Sequence, residues 1–160
     1  NELEKINNYS VDKNNIDKNK ILKITNLAEN YNVSELVDNF LTRNKKKAIN
    51  ILNENNTANE DNILILRTFL FKLKRLKKLK LNLYLKKNID TVFSSFKPPI
   101  FWKDKDLIKQ QLKLWSLEQL QKLIININKL ELLIKKNPQI SNHIVSNFII
   151  EKIDNPNSEI

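Results

Sequence analysis

Few residues in this 160-residue chain could do chemistry, and they are scattered. His143 is the sole histidine, which excludes multi-histidine metal sites and leaves one acid–base group near a helix start, where a surface histidine is the commoner occupant. There is no cysteine, and with it go thiolate ligands, thiol nucleophiles and disulfides. Ser34, Ser94, Ser95, Ser116, Ser141 and Ser146 lack a neighbouring base or a strand-to-helix glycine elbow. The carboxylate pairs Glu60–Asp61 and Asp104–Asp106 fall where helices should start and would complement the helix dipole there. Glycine is absent altogether, so neither a P-loop nor a dinucleotide fingerprint can bring backbone N–H groups close to a phosphate. No catalytic, cofactor or metal site is expected in this chain.

The strongest chemical signal is charge. Formal net charge is +10 with a pI near 9.7, which favours nucleic acid, an anionic membrane surface or an acidic partner. Lys72, Lys74, Arg75, Lys77, Lys78, Lys80, Lys86 and Lys87 follow one another with no acidic residue between them. At 100° per residue Arg67, Lys74 and Lys78 line up with Arg75 beside them, so the helix is expected to be buried along one edge and basic along another, where it could bind phosphates. A solvated face is the competing reading. Lysine, asparagine and isoleucine are abundant while arginine occurs only at positions 43, 67 and 75, the bias of an AT-rich genome.

Helices must carry these groups. Hydrophobic residues make up 41% of the chain and charged residues 29%, enough apolar surface for one packed domain. The apolar runs are far shorter than the roughly 20 residues of a membrane span. The chain opens at Asn1 with neither methionine nor a secretory leader, and is expected to be a piece of a longer protein. Residues 1–30 read as the end of one helical domain, with a polar stretch from Tyr9 to Asn19, a cap at Asp17 and an interruption at Asn30 to Asn32. A second helical domain is expected over 31–153, followed by a frayed tail over 154–160.

Within that domain Leu36, Val37, Phe40 and Leu41, then Ala48, Ile49 and Leu52, predict a helical hairpin with a basic turn at Arg43 to Lys47. Asn53, Asn55 and Asn56 are placed to stop the second helix, asparagine standing in for glycine. Thr57 and Glu60 have capping-box spacing. The long helix from Ile63 to about Lys87 carries Leu66, Phe69, Leu70, Leu73 and Leu76 as its stripe, with Lys80 close to the apolar side, where its stem must snorkel or the helix bend. Pro98 and Pro99 make Phe96 to Trp102 a connector whose aromatics are expected to pack beneath the loop. Asp104 starts the next helix. Ser116 and Gln119 form a capping box flanked by a Trp115–Leu120 staple, and the helix from Leu117 is expected to lie centrally. Asn137 and Pro138 should open the last helix, with Ile144, Val145, Phe148, Ile149 and Ile153 buried. The fold class is all-α, a helical bundle.

In this order the segments resemble a known family. Val33 to Leu41, Lys47 to Leu52 and Ile63 to Leu70 resemble the collar of the delta subunit of the bacterial DNA polymerase III clamp loader. Lys97-Pro-Pro-Ile-Phe-Trp-Lys-Asp-Lys105, Gln111-Leu-Lys-Leu-Trp-Ser-Leu-Glu-Gln-Leu120 and Leu130 to Lys136 resemble its alphaproteobacterial form. Asn1 to Ile6 and the stretch near Ile21 resemble the end of its small helical lid domain. The resemblance implies a non-catalytic cytoplasmic scaffold that assembles with other loader subunits in a five-membered ring above primer–template DNA, and it makes Arg67, Lys74, Arg75 and Lys78 the candidate DNA-facing residues. It also implies a preceding AAA+-like domain that contacts the sliding clamp. An independent nucleic-acid-binding helical protein is the alternative.

Overall fold

A computed structural model describes residues 27–54, 59–86 and 88–155, and every regular element among them is helical. In chain order these are α1 (Leu27–Leu41), α2 (Lys45–Glu54), α3 (Asn59–Lys86), α4 (Ile89–Ser95), a 3₁₀ turn (Trp102–Asp104), α5 (Lys105–Leu114), α6 (Leu117–Lys136), a second 3₁₀ turn (Pro138–Ile140) and α7 (Ser141–Asp154). The all-α expectation is met. The lid-like segment before residue 27, the Thr57–Glu60 box, Asn55, Asn56 and the tail beyond residue 155 lie outside the described residues. α1 runs unbroken through Asn30, Tyr31 and Asn32, where the pattern suggested an interruption, because asparagine has only a modest helix penalty.

α3 is the axis of the bundle. It packs most extensively on α6 and also meets α1, α4, α5 and α7, so the central position expected for α6 belongs to the longer helix before it. Ile65, Leu66, Phe69, Leu73, Leu76 and Leu79 are its buried side. Against them lie Leu36, Val37 and Phe40 of α1, Leu120, Leu123, Ile127 and Leu130 of α6, and Val145, Phe148 and Ile149 of α7, in one core. Asn62, buried at the start of α3, donates to Ser141 Oγ at 3.0 Å and also to Asn142 Oδ1. This ties the first turn of α7 to the axis.

Without glycine the helix ends close in other ways. At the end of α1 the amide of Arg43 donates to Phe40 O at 2.9 Å and that of Asn44 to Asn39 O at 2.8 Å, the two bonds of a Schellman closure. The left-handed residue it needs is Arg43, at φ 57°. A non-glycine residue there costs about 1–2 kcal/mol. Its side chain is held from both sides: Nη2 donates to Leu114 O at 3.1 Å, and the guanidinium carbon lies 4.9 Å from the centre of the Trp115 ring.

Trp115 in turn donates Nε1–H to Leu41 O at 2.7 Å and stacks on Phe40 with ring centres 5.7 Å apart. The amide of Thr42 donates to Asp38 O at 2.9 Å. The last four carbonyls of α1, which a helix cannot satisfy from within, therefore all have donors. The question left at Lys80 is answered by another helix end, since its ammonium donates to Leu112 O, at 2.5 Å, in the last turn of α5. There a cation also meets the negative end of the helix dipole.

The remaining junctions follow local chemistry. Asn88 caps α4 by accepting from Asp90 N at 2.9 Å, and this short helix has no periodic signal long enough to predict it. Both bonds of the Ser116–Gln119 box are present, and Trp115 and Leu120 are buried as a staple requires. Asn137 ends α6 rather than opening α7: its side-chain amide donates to Leu133 O at 3.0 Å, and Pro138 begins a 3₁₀ turn. Leu123→Ala is expected to destabilise the fold by about 2–5 kcal/mol, and Ser116→Ala by about 1 kcal/mol. Leu132→Ala on the exposed side of α6 should stay within roughly 0.5 kcal/mol. Chemical denaturation of the three variants checks this order.

Candidate interaction surface

The candidate basic residues divide in two. Arg67, Lys74 and Lys78 lie exposed along the outer side of α3, and Lys78 Nζ sits 5.3 Å from the centre of the buried Phe96 ring. Arg75 turns away into a cleft of about 230 Å³ between α1, α3 and α5, where Ser34, Asp38, Lys72, Asp104 and Gln111 share its wall. It is half-buried, and its Nε has no hydrogen-bond partner.

The same cleft holds the polar junction of the fold. Lys72 donates to Asp38 Oδ2 at 2.6 Å, Ser34 Oγ at 2.7 Å and Ser34 O at 3.0 Å. Gln111 donates to Asp38 Oδ1 at 3.1 Å. One carboxylate thus joins α1, α3 and α5. Lys72 belongs to the basic run in sequence but is occupied in structure, so it offers no free charge to a phosphate.

Large apolar side chains separate the cations on the outer side of α3. Phe71 is 62% exposed, Leu81 42% and Leu85 82%. With Arg67, Lys74 and Lys78 they occupy positions 67, 71, 74, 78, 81 and 85, a 4-3-4-3-4 spacing that forms one continuous stripe opposite the buried side. Sequence reasoning missed this stripe. Its signal was present as a second period on the helix, hidden by lysines that read as solvated.

A second exposed feature corrects the connector. Phe96 and Ile100 pack inward, but Phe101 and Trp102 stand 56% and 68% exposed. Their ring centres are 5.8 Å apart, and Lys103 Nζ is 5.3 Å from the Trp102 ring centre.

Among the described residues no group of three or more histidine, cysteine or acidic side chains is placed to hold a metal ion, and no helix is long and apolar enough to cross a membrane. His143 is exposed in the first turn of α7. Comparison with protein-family models, curated proteins and solved structures finds no match. Asp38→Ala, which strips Lys72 and Gln111 of their shared acceptor, is expected to cost about 1–3 kcal/mol. Asp154→Ala, which removes the exposed ion pair with Lys45, should cost at most about 1 kcal/mol. Thermal unfolding of both variants tests the contrast.

Proposed function

We propose that this chain is a scaffold module of a replication clamp loader: the collar-like part of a delta subunit, which assembles with other loader subunits in the bacterial cytoplasm and performs no catalysis itself. The observation that carries the reading is the segment Gln111 to Leu120, one of the stretches that resemble the delta subunit. Its residues are the ones that join helices here: Gln111 bonds Asp38 of α1, Trp115 bonds the Leu41 carbonyl, and Ser116 with Gln119 starts α6. That these resembling positions join helices supports the reading.

The exposed apolar side chains support assembly as well. Phe71, Leu81 and Leu85 stand exposed on one side of one helix, Phe71 set apart from the leucines by Lys74 and Lys78, and large exposed apolar groups are associated with protein contact. A second reading, an independent nucleic-acid-binding protein, is favoured by the exposed Arg67, Lys74 and Lys78 and by the bare Phe101–Trp102 pair, since cations hold phosphates and aromatic faces stack on bases. Binding to phosphates alone would leave Phe71, Leu81 and Leu85 uncovered. Assembly therefore ranks first.

Size-exclusion chromatography of the chain mixed with the other loader subunits of its source organism tests the reading, and co-elution at a defined stoichiometry is expected. Elution apart from them, together with tight DNA binding, would move the assignment to the nucleic-acid reading. In that event replacing Arg67, Lys74 and Lys78 by alanine should lower the slope of log affinity against log salt by about one for each phosphate that is no longer neutralised.

A further inference from the structure

We propose that the outer stripe of α3 is a docking seam for an acidic amphipathic helix of a partner protein. The inference deepens the assembly reading and rests on it only for which protein supplies the helix. Three observations lead to it.

The first is spacing. Arg67, Phe71, Lys74, Lys78, Leu81 and Leu85 recur at the interval by which one helix meets another along a shared seam. They are exposed although the opposite side of the same helix is fully packed. A helix needed only for the core has no reason to carry Phe71, Leu81 and Leu85 at that spacing toward water.

The second is charge. From Asn62 to Lys86, α3 contains no acidic residue, so the cations on the seam have no carboxylate of their own stretch of helix to pair with. In a parallel pair of copies each cation would face itself, and in an antiparallel pair Lys74 would face Lys78, so self-pairing sets like charges together in the middle of the seam. A helix with glutamates flanking an apolar stripe supplies both partners the seam lacks. Long side chains such as those of Arg67 and Lys74 can lay their stems along its apolar residues while their charged ends reach its carboxylates.

The third is shape. A phosphate backbone would meet the cations but leave the intervening phenylalanine and leucines in water, whereas a helix covers both kinds of side chain at once. Tyr84, also exposed, lies beside Leu81 and Leu85 at the end of the same helix and lines a shallow groove with Leu117, Gln121 and Ile125 of α6. Glu118 and Lys122, paired with each other at 3.0 Å, share that groove, which continues the seam toward the adjoining helix.

The test uses the full chain and two synthetic helical peptides of about four heptads, both with leucine at the seam positions, one with glutamate and the other with lysine at the flanking positions. Fluorescence anisotropy is expected to show the glutamate peptide binding at least about tenfold more tightly than the lysine peptide, and weakening as salt rises toward about 0.5 M. The combined variant Phe71→Ser, Leu81→Ser, Leu85→Ser changes only exposed positions and should abolish binding with an unchanged helical circular-dichroism spectrum. Equal affinity for both peptides, no binding of either, or binding that survives in the triple variant overturns the proposal. Concentration-dependent dimerisation abolished by the triple variant would also overturn it, in favour of a second copy.

The two readings fail separately. If the glutamate peptide binds but the loader subunits do not co-elute, the seam stands and its partner lies elsewhere. If the subunits co-elute equally well with the triple variant, the assembly reading stands and the seam is rejected.

Discussion

Closing helix ends without glycine is the constraint on which the rest of this structure depends. Terminal carbonyls must find donors, and here two helices close each other. The end of α1 receives the indole N–H of Trp115, which follows α5, and the end of α5 receives the guanidinium of Arg43, which follows α1. The exchange fixes how α1 and α5 approach. Phe40 and Phe69, meeting edge to face at 4.9 Å, carry the arrangement on to α3, and Asp38 repeats it one turn away with polar partners from α3 and α5. An arginine in a left-handed conformation is tolerable because its side chain is held at the far end.

From that junction α3 extends about 42 Å at the usual helical rise. Its inner side packs against α1, α4, α5, α6 and α7, and on its outer side Arg67, Phe71, Lys74, Lys78, Leu81 and Leu85 are exposed. Those two sides give one helix two separate tasks. The inner residues determine whether the chain folds, and the outer stripe determines what the folded chain meets. Because Arg75 and Lys72 turn into the cleft with α1 and α5, the outer charge is smaller than the sequence implies and is broken up by apolar groups. This is why a helix-like partner fits it better than a polyanion.

Local features were legible in the sequence and tertiary ones were not. Ser116 with Gln119, and the staple of Trp115 and Leu120, need only neighbours a few residues apart, and both are where spacing places them. The apolar stripe of α3 was readable because its period is intrinsic to the helix. Lys80 was ambiguous because its acceptor, the Leu112 carbonyl, is supplied by a helix that follows 32 residues later in the chain. Arg43 was invisible as a left-handed residue because what holds it there lies at the far end of α5. Asn137 was assigned to the wrong helix because the same side chain can cap a start or, as here, reach back to the preceding turn. The candidate site was half legible: helical angle placed Arg67, Lys74 and Lys78 together, but exposure, which decides whether Phe71 or Leu81 belongs to a core or a surface, is a property of the whole bundle.

That α3 has one side for folding and the other for recognition can be tested by placing a photo-crosslinking phenylalanine analogue at position 81, on the outer stripe, and in a second protein at position 132, on the exposed side of α6. In the mixture with loader subunits, irradiation should link position 81 to a partner subunit and leave position 132 unlinked. Crosslinks from position 132 with none from position 81 would contradict the assignment and move the recognition surface to α6.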